Sequence, residues 1–301
     1  MRRSRRVVGW TGWLVGCVAA AAPALELALE RTRGELLAVP VEVGGERMRW
    51  ALDTGAGRSM ITAALAAQWG LAPRARFDVV DTRGQVRTAL AGGPLAVCLG
   101  EVEVRLELVG WLPGERLFFE EEGLSGLLAA DLLAGVDLWV DDDDVRLRVA
   151  PAGGLVSAYG GARLPVELLE GRPAILLELA GLERRPVALR LVVDSGTDRT
   201  VLFGARAVQL AAARRGLAGS AALVAAHGAS VVALAPLGRA RAGEVTVRLG
   251  MAALLPATRD REEDGLVPLA ALGPVLFELS AGRVTVGASP RAPPPGARTQ
   301  R

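Results

Sequence analysis

The chain contains no lysine, and His227 is its single histidine. A P-loop, a Schiff-base enzyme and a Ser-Lys hydrolase each need a lysine, and a zinc motif with two histidines needs a second histidine. These absences exclude those classes of site. No nucleic-acid partner is indicated either, because four arginines lie within the first six residues. Their removal would change the formal net charge from +2 to −2.

Cysteine is nearly as scarce, since Cys17 and Cys98 are the only two in the chain. If Cys17 is modified or removed during export, Cys98 has no partner within the chain. Disulfides are therefore not the scaffold, and Cys98 is interpreted as a small, buried apolar residue.

Residues 1–24 have the order of a signal peptide or lipoprotein leader. A basic stretch, Met1 to Arg6, precedes an apolar run from Val7 to Ala22 that is short for a spanning helix. Leu14-Val15-Gly16-Cys17 resembles a bacterial lipobox, which predicts lipid attachment at Cys17 and membrane attachment through it. Simple cleavage near Ala22-Pro23-Ala24 and an uncleaved anchor are the alternatives. We expect an exported protein, either a periplasmic or cell-envelope lipoprotein or a secreted one.

An internal repeat organises the remainder of the chain. Residues 51–61 read Ala-Leu-Asp-Thr-Gly-Ala-Gly-Arg-Ser-Met-Ile, and residues 192–202 read Val-Val-Asp-Ser-Gly-Thr-Asp-Arg-Thr-Val-Leu. Both have two apolar residues, Asp-[Thr/Ser]-Gly, an arginine five positions after the aspartate, a hydroxyl residue and two apolar residues. One such triplet is weak evidence, whereas two in matching windows are strong.

The flanks of the two motifs agree as well. Alternating apolar segments precede each motif, and alanine-rich stretches that favour a short helix follow, at Thr62–Trp69 and Ala205–Ala213. Late in each unit, Gly126-Leu127-Leu128 and Gly265-Leu266-Val267 lead into closing strands. We predict a mainly β fold with units at 36–150 and 164–287, a linker at 151–163 and a disordered tail at 288–301.

The repeat carries chemistry because it brings two buried carboxylates within reach of each other. A buried carboxylate must be hydrogen-bonded or protonated. Asp53 and Asp194, placed face to face across a pseudo-twofold axis, would share one proton and titrate as a pair. The ionised member can take a proton from water, while the protonated member polarises a peptide carbonyl.

Both units resemble the retropepsin-like aspartyl proteases, on Asp53-Thr54-Gly55-Ala56, Asp194-Ser195-Gly196-Thr197, the hydroxyl residues Ser59 and Thr200, and the late glycine segments. The resemblance implies two tandem acid-protease β-barrel lobes, each with a short helix. Asp53 and Asp194 would be catalytic at the floor of the cleft between them, supported by Thr54, Gly55, Ser195 and Gly196. It also implies a peptide or protein substrate, water as the nucleophile, no cofactor and no metal. The short linker and the unequal motifs favour a monomer whose lobes pair within one chain.

The chain departs from the family pattern in two places. Ala129 and Pro268 stand where the late motif usually has glycine, and the single tyrosine, Tyr159, lies in the linker and not in a flap. The flap candidates are the polar turns 81–85 and 226–230, on position alone.

Several alternatives stay open. The protein would be a catalytically inactive, envelope-anchored peptide-binding protein if the carboxylates were far apart, whereas contact through a shared hydrogen bond supports catalysis. Each unit could also pair with its copy in another chain. Arg58 and Arg199 are interpreted as solvated or bracing residues, and His227 as a loop histidine. The run Asp141–Asp144 is predicted to be a hairpin turn, with calcium binding as the alternative.

Overall fold

The structure is a computed structural model that describes residues 24–155, 158–179, 186–204, 219–225, 228–255 and 261–290. Strands, numbered here along the chain, make up most of these residues, and the prediction of a mainly β fold is confirmed. The described strands form three sheets. One sheet comes from the first repeat unit, one from the second, and the third from both.

The first sheet contains the first Asp-Thr-Gly motif, and the part of the chain that forms it is called lobe 1. Its strand order is β6-β7-β10-β5-β11-β4-β3-β8-β9, with β2 paired to β3. The strands are β2 (Glu30–Arg31), β3 (Leu37–Val43), β4 (Glu46–Asp53), β5 (Met60–Ile61), β6 (Ala75–Val80), β7 (Val86–Gly92), β8 (Leu95–Leu99), β9 (Val102–Leu106), β10 (Val109–Trp111) and β11 (Gly126–Ala129).

The second sheet contains the Asp-Ser-Gly motif, and this part of the chain is called lobe 2. Its order is β15-β16-β17-β22-β18-β21-β20-β19, with a further pairing of β16 with β20. The strands are β15 (Glu167–Leu169), β16 (Arg172–Leu179), β17 (Val187–Asp194), β18 (Thr200–Phe203), β19 (Gly219–Ala225), β20 (Gly228–Ala242), β21 (Val245–Leu255) and β22 (Gly265–Pro268).

The third sheet joins the two repeat units. Its order is β1-β13-β12-β23-β24-β14, so that each half of the chain contributes three adjacent strands and β12 pairs with β23 at the centre. The strands are β1 (Leu25–Ala28), β12 (Val136–Asp141), β13 (Arg146–Pro151), β14 (Tyr159–Pro165), β23 (Val275–Glu278) and β24 (Arg283–Pro290). Strand β14 begins inside the predicted linker, and β24 extends into the predicted tail.

Helices are few and short among the described residues: α1 (Ala63–Gln68), α2 (Phe118–Glu121), α3 (Leu269–Leu272), and 3₁₀ turns at Ala130–Ala134 and Leu279–Ala281. Helix α1 lies within the predicted stretch 62–69, and the Thr62 side chain caps it by accepting from the Leu65 N–H. The second predicted helix, 205–213, lies outside the described residues. Within the described part of the chain, no helix has the length and apolar character that a membrane span requires.

Apolar packing holds the shared sheet and the lobes together. Strands buried on both faces read as nearly continuous apolar runs, and β12 is buried along its whole length. Trp139 on β12 is almost fully buried, lies against the Tyr159 ring with centroids 5.5 Å apart, and donates its indole N–H to the Ala288 carbonyl at 2.8 Å. This cluster accounts for the extension of the sheet into the predicted linker, because Tyr159 packs on the sheet there.

Each predicted catalytic aspartate ends a strand that runs parallel to the late glycine segment. In lobe 1, β11 lies between β4 and β5, which sets Ala129 beside Asp53. In lobe 2, β22 lies between β17 and β18, which sets Pro268 beside Asp194. The late motif is therefore the floor on which each aspartate loop rests.

Candidate active site

The two aspartates meet at the junction of the lobes. Each carboxyl group packs against the glycine of the opposite aspartate loop, with Asp194 buried and Asp53 partly exposed. A Cβ atom on Gly196 would lie 2.8 Å from the Asp53 carboxyl carbon, and one on Gly55 would overlap the Asp194 carboxyl group. Both glycines are thus required by the approach of the opposite carboxylate.

Four reciprocal hydrogen bonds tie the aspartate loops together. The Thr54 hydroxyl donates to the Val193 carbonyl at 2.8 Å and accepts from the Ser195 N–H at 3.1 Å. The Ser195 hydroxyl donates to the Leu52 carbonyl at 3.0 Å and accepts from the Thr54 N–H at 3.0 Å. Both side chains are buried. Every one of these bonds crosses from one lobe to the other. Thr54 and Ser195, which were predicted to support the dyad, therefore each hold the opposite aspartate loop.

The two carboxylates accept different numbers of hydrogen bonds from backbone N–H groups. One Asp53 oxygen accepts from the N–H groups of Gly55 and Ala56, each at 3.0 Å, whereas Asp194 accepts from the Gly196 N–H alone at 2.7 Å. Burial raises the pKa of both groups, and the neighbouring charge of Asp53 adds to the rise in the pKa of Asp194, which ends well above its ordinary value. The unequal number of backbone donors favours the negative charge on Asp53 and the shared proton on Asp194.

Below the first loop, Ser59 and Asp131 form a buried polar link. The Ser59 hydroxyl donates to Asp131 at 2.5 Å and accepts from the Ala129 N–H at 3.0 Å, and the Ser59 N–H donates to the same carboxylate at 2.9 Å. Burial raises the pKa of Asp131 against these hydrogen bonds. Asp131 was not singled out from the sequence. Its fixed place after the late glycine segment was the available signal.

The second aspartate loop is supported by different contacts from the first. Thr200 occupies the place of Ser59, but Pro268 has no N–H to offer and the repeat puts Ala270 where lobe 1 has Asp131. The Thr200 hydroxyl donates instead to the Leu249 carbonyl at 3.1 Å. A cavity bordered by Arg199, Thr200 and Ala270 lies beside this loop.

Where the structure describes them, the other residues singled out from the sequence do not join the carboxylate pair. The Arg58 guanidinium stacks 5.0 Å above the Phe77 ring, and Arg199 pairs with its neighbour Asp198. The run Asp141–Asp144 forms the hairpin turn between β12 and β13, as predicted, with Asp141 accepting from the Asp144 N–H at 3.2 Å. Cys17 and His227 lie outside the described residues. Cys98 is only half-buried, contrary to the expectation of full burial.

Charged residues that the sequence did not indicate lie beside the dyad. Arg172, at the start of β16, binds Glu263 with both terminal nitrogens at 3.1 Å, and its charge lowers the pKa of Asp53 and of Asp194. Arg261 contacts the same glutamate.

Residues 39–111 match the family model described as aspartyl protease. The matched segment runs from within β3 through β10 and contains Asp53, while Asp194 lies beyond it. A search of curated proteins found no match. Over these residues, the family match supports the resemblance to the retropepsin-like aspartyl proteases that the two motifs predict.

Proposed function

We propose that this protein is an aspartic endopeptidase that hydrolyses peptide bonds with a water activated by Asp53 and Asp194. The observation that carries the proposal is the packing of each carboxyl group against the opposite aspartate loop, at a junction that both repeats build. Contact of this kind supports catalysis over the alternative of an inactive peptide-binding protein, for which separated carboxylates were the expected sign.

The unequal hydrogen bonding supports a division of roles. Asp53 accepts two backbone N–H groups and is the better carboxylate, so it takes a proton from the attacking water. Asp194 holds the proton and donates it in a hydrogen bond to the scissile carbonyl, which stabilises the charge that develops on that oxygen. Collapse of the tetrahedral intermediate then passes a proton to the leaving amine.

The reciprocal bonds of Thr54 and Ser195 support pairing of the lobes within one chain, as a monomer. Each of these bonds joins residues about 140 positions apart in the same chain. We propose that Cys17 carries the lipid and that the enzyme acts on peptides in the cell envelope, on the strength of the leader sequence.

The test is hydrolysis of a diverse peptide library by the purified protein between acid and neutral pH. Asp53→Asn and Asp194→Asn should each lower the turnover rate by about 10³-fold or more, since each removes a proton-transfer group. Asp143→Asn is the matched control, because Asp143 is exposed in the turn between β12 and β13 and belongs neither to an aspartate loop nor to the β6–β7 hairpin. A statine-containing inhibitor should block wild-type cleavage.

Retained turnover in either purified dyad variant would refute this function. No cleavage by folded wild-type protein, under any of these conditions, would favour the peptide-binding alternative.

A further inference from the structure

A buried ion pair in lobe 2 replaces an apolar pair in lobe 1. The repeat aligns Leu36 with Arg172 and Leu124 with Glu263. Leu36 and Leu124 are buried in one apolar cluster of lobe 1. The Arg172 and Glu263 side chains are only 11% and 2% exposed. Because removing two charges from water costs more than packing two leucines, stability alone does not account for the exchange.

The arginine of this pair faces the dyad. Strands β16 and β17 pair Ala174 with Val192, and the same register continued by two residues sets Arg172 opposite Asp194. Arg172 also lies against the loop that follows Asp53, since a Cβ on Gly57 would be 3.8 Å from its Cγ. Its guanidinium charge therefore acts on both carboxylates.

The glutamate of the pair is shared with a second arginine, which crosses to lobe 1. Arg261 donates to Glu263 at 3.2 Å and to the main-chain carbonyl of Asp81 at 2.7 Å, and its guanidinium lies 4.1 Å above the Phe203 ring. Asp81 opens the turn between β6 and β7, one of the two predicted flaps. The tip of the lobe 1 hairpin is thus fastened to lobe 2.

The turn that Arg261 contacts is held together by the Asp81 side chain. The Asp81 carboxylate is buried and accepts from the N–H groups of Arg83 and Gln85 at 2.9 and 2.8 Å, and it pairs with the Arg83 side chain. A displacement of the Asp81 backbone would therefore move the whole turn with it.

We infer that Arg261 is the latch that keeps the β6–β7 hairpin closed across the lobes, and that the Glu263 carboxylate it shares with Arg172 links hairpin closure to the charge beside the dyad. This inference rests on the proposed function, since the hairpin would be the lid of the peptide cleft. With the hairpin closed, the buried Glu263 carboxylate pairs with the guanidinium groups of both Arg172 and Arg261. When Arg261 leaves, Glu263 neutralises Arg172 more completely.

The charged groups facing this network all have named partners. Arg172 faces Glu263, Glu170 and the two dyad aspartates, and Arg261 faces Glu263 and the Asp81–Arg83 pair. Loss of the latch leaves less positive field at the dyad. Both limbs of the pH–activity profile should then move to higher pH, because a weaker positive field favours the protonated carboxylates.

Hydrogen exchange of the turn amides, residues 81–86, tests the latch in the full-length protein whether or not it cleaves peptides. Arg261→Met should speed their exchange about tenfold, as expected for loss of hydrogen bonds to a charged donor. Arg241→Met, which removes the exposed pair with Glu178 in the same lobe, should leave these amides unchanged. Equal exchange rates in Arg261→Met and wild type would overturn the latch.

The link to the dyad has its own variant, Arg172→Leu with Glu263→Leu, which installs the residues of lobe 1. It should speed exchange in the turn, because Arg261 loses its carboxylate partner, and it should move the pH profile of kcat/KM to higher pH. Faster exchange with an unmoved profile would overturn the link while leaving the proposed function intact. Failure of wild-type protein to cleave peptides would instead count against the proposed function, with the exchange rates still deciding the latch.

Discussion

The two lobes carry the same motif on different supports. In lobe 1, Ser59 is held by the Asp131 carboxylate and by the Ala129 N–H. In lobe 2, Thr200 is held by the Leu249 carbonyl, above a cavity. The residues that touch across the junction are nearly alike in the two copies, whereas those beneath it differ. The junction constrains chemistry on both sides at once, because each loop satisfies the polar groups of the other.

Loss of either cross-lobe hydroxyl should give the largest stability effects. Thr54→Val and Ser195→Ala each remove two buried hydrogen bonds and leave an N–H and a carbonyl without partners. We expect each to lower the free energy of unfolding by about 3 kcal/mol. Denaturant unfolding of both variants measures it. A large loss in one variant and none in the other would break the symmetry argued for the junction.

The supports beneath the loops should respond unequally. Ser59→Ala leaves the Ala129 N–H without its partner and removes a hydrogen bond from the partly buried Asp131, so we expect a loss of about 2 kcal/mol in the free energy of unfolding. Thr200→Val removes a single bond to a carbonyl and should cost about 1 kcal/mol. The same unfolding experiment compares them. Equal losses would show that the lobe 2 support is stronger than its contacts indicate.

The smallest expected effect is a gain. The pKa of Asp194 is raised by burial and by Asp53, so its contribution to stability is fully present below the ordinary aspartate value of 3.8 and is lost as the pH rises through the raised pKa. Asp194→Asn keeps an acceptor for the Gly196 N–H but cannot ionise. We expect it to melt at a higher temperature than wild type at neutral pH and at the same temperature near about pH 3.

Thermal melts across this range measure that gain. Asp78→Asn, at an exposed position, is the control. A variant that melts lower than wild type at neutral pH would contradict the assignment of the proton to Asp194.

The sequence predicted the features that repeat and missed those that do not. Paired Asp-[Thr/Ser]-Gly triplets sufficed to predict that Asp53 and Asp194 meet, because a pseudo-twofold axis leaves them little alternative. Arg172, Glu263 and Arg261 were missed, since a charged residue in a strand or a loop is normally exposed to solvent. Their partners lie 91 and 180 positions away, and periodicity carries no information on such pairing.

The shared sheet was missed for a related reason. The closing segments were recognised as strands, but alternation shows which face of a strand is apolar and not which strand lies beside it. The pairing of Leu138 with Phe277 and of Val140 with Val275 joins the middle of the chain to a segment near its C-terminus. The boundaries predicted for the two units remain a prediction.

The central β12–β23 ladder of the shared sheet bears on the role of the covalent connection between the two halves of the chain. Three strands from each half meet there, and the aspartate loops meet above it, so every bond that joins the halves at these two places is noncovalent. The segment between β13 and β14 then acts as a tether. Its contribution is to hold one half at a high effective concentration, on the order of millimolar, around the other. The two halves therefore associate as the subunits of a dimer would, although they belong to one chain.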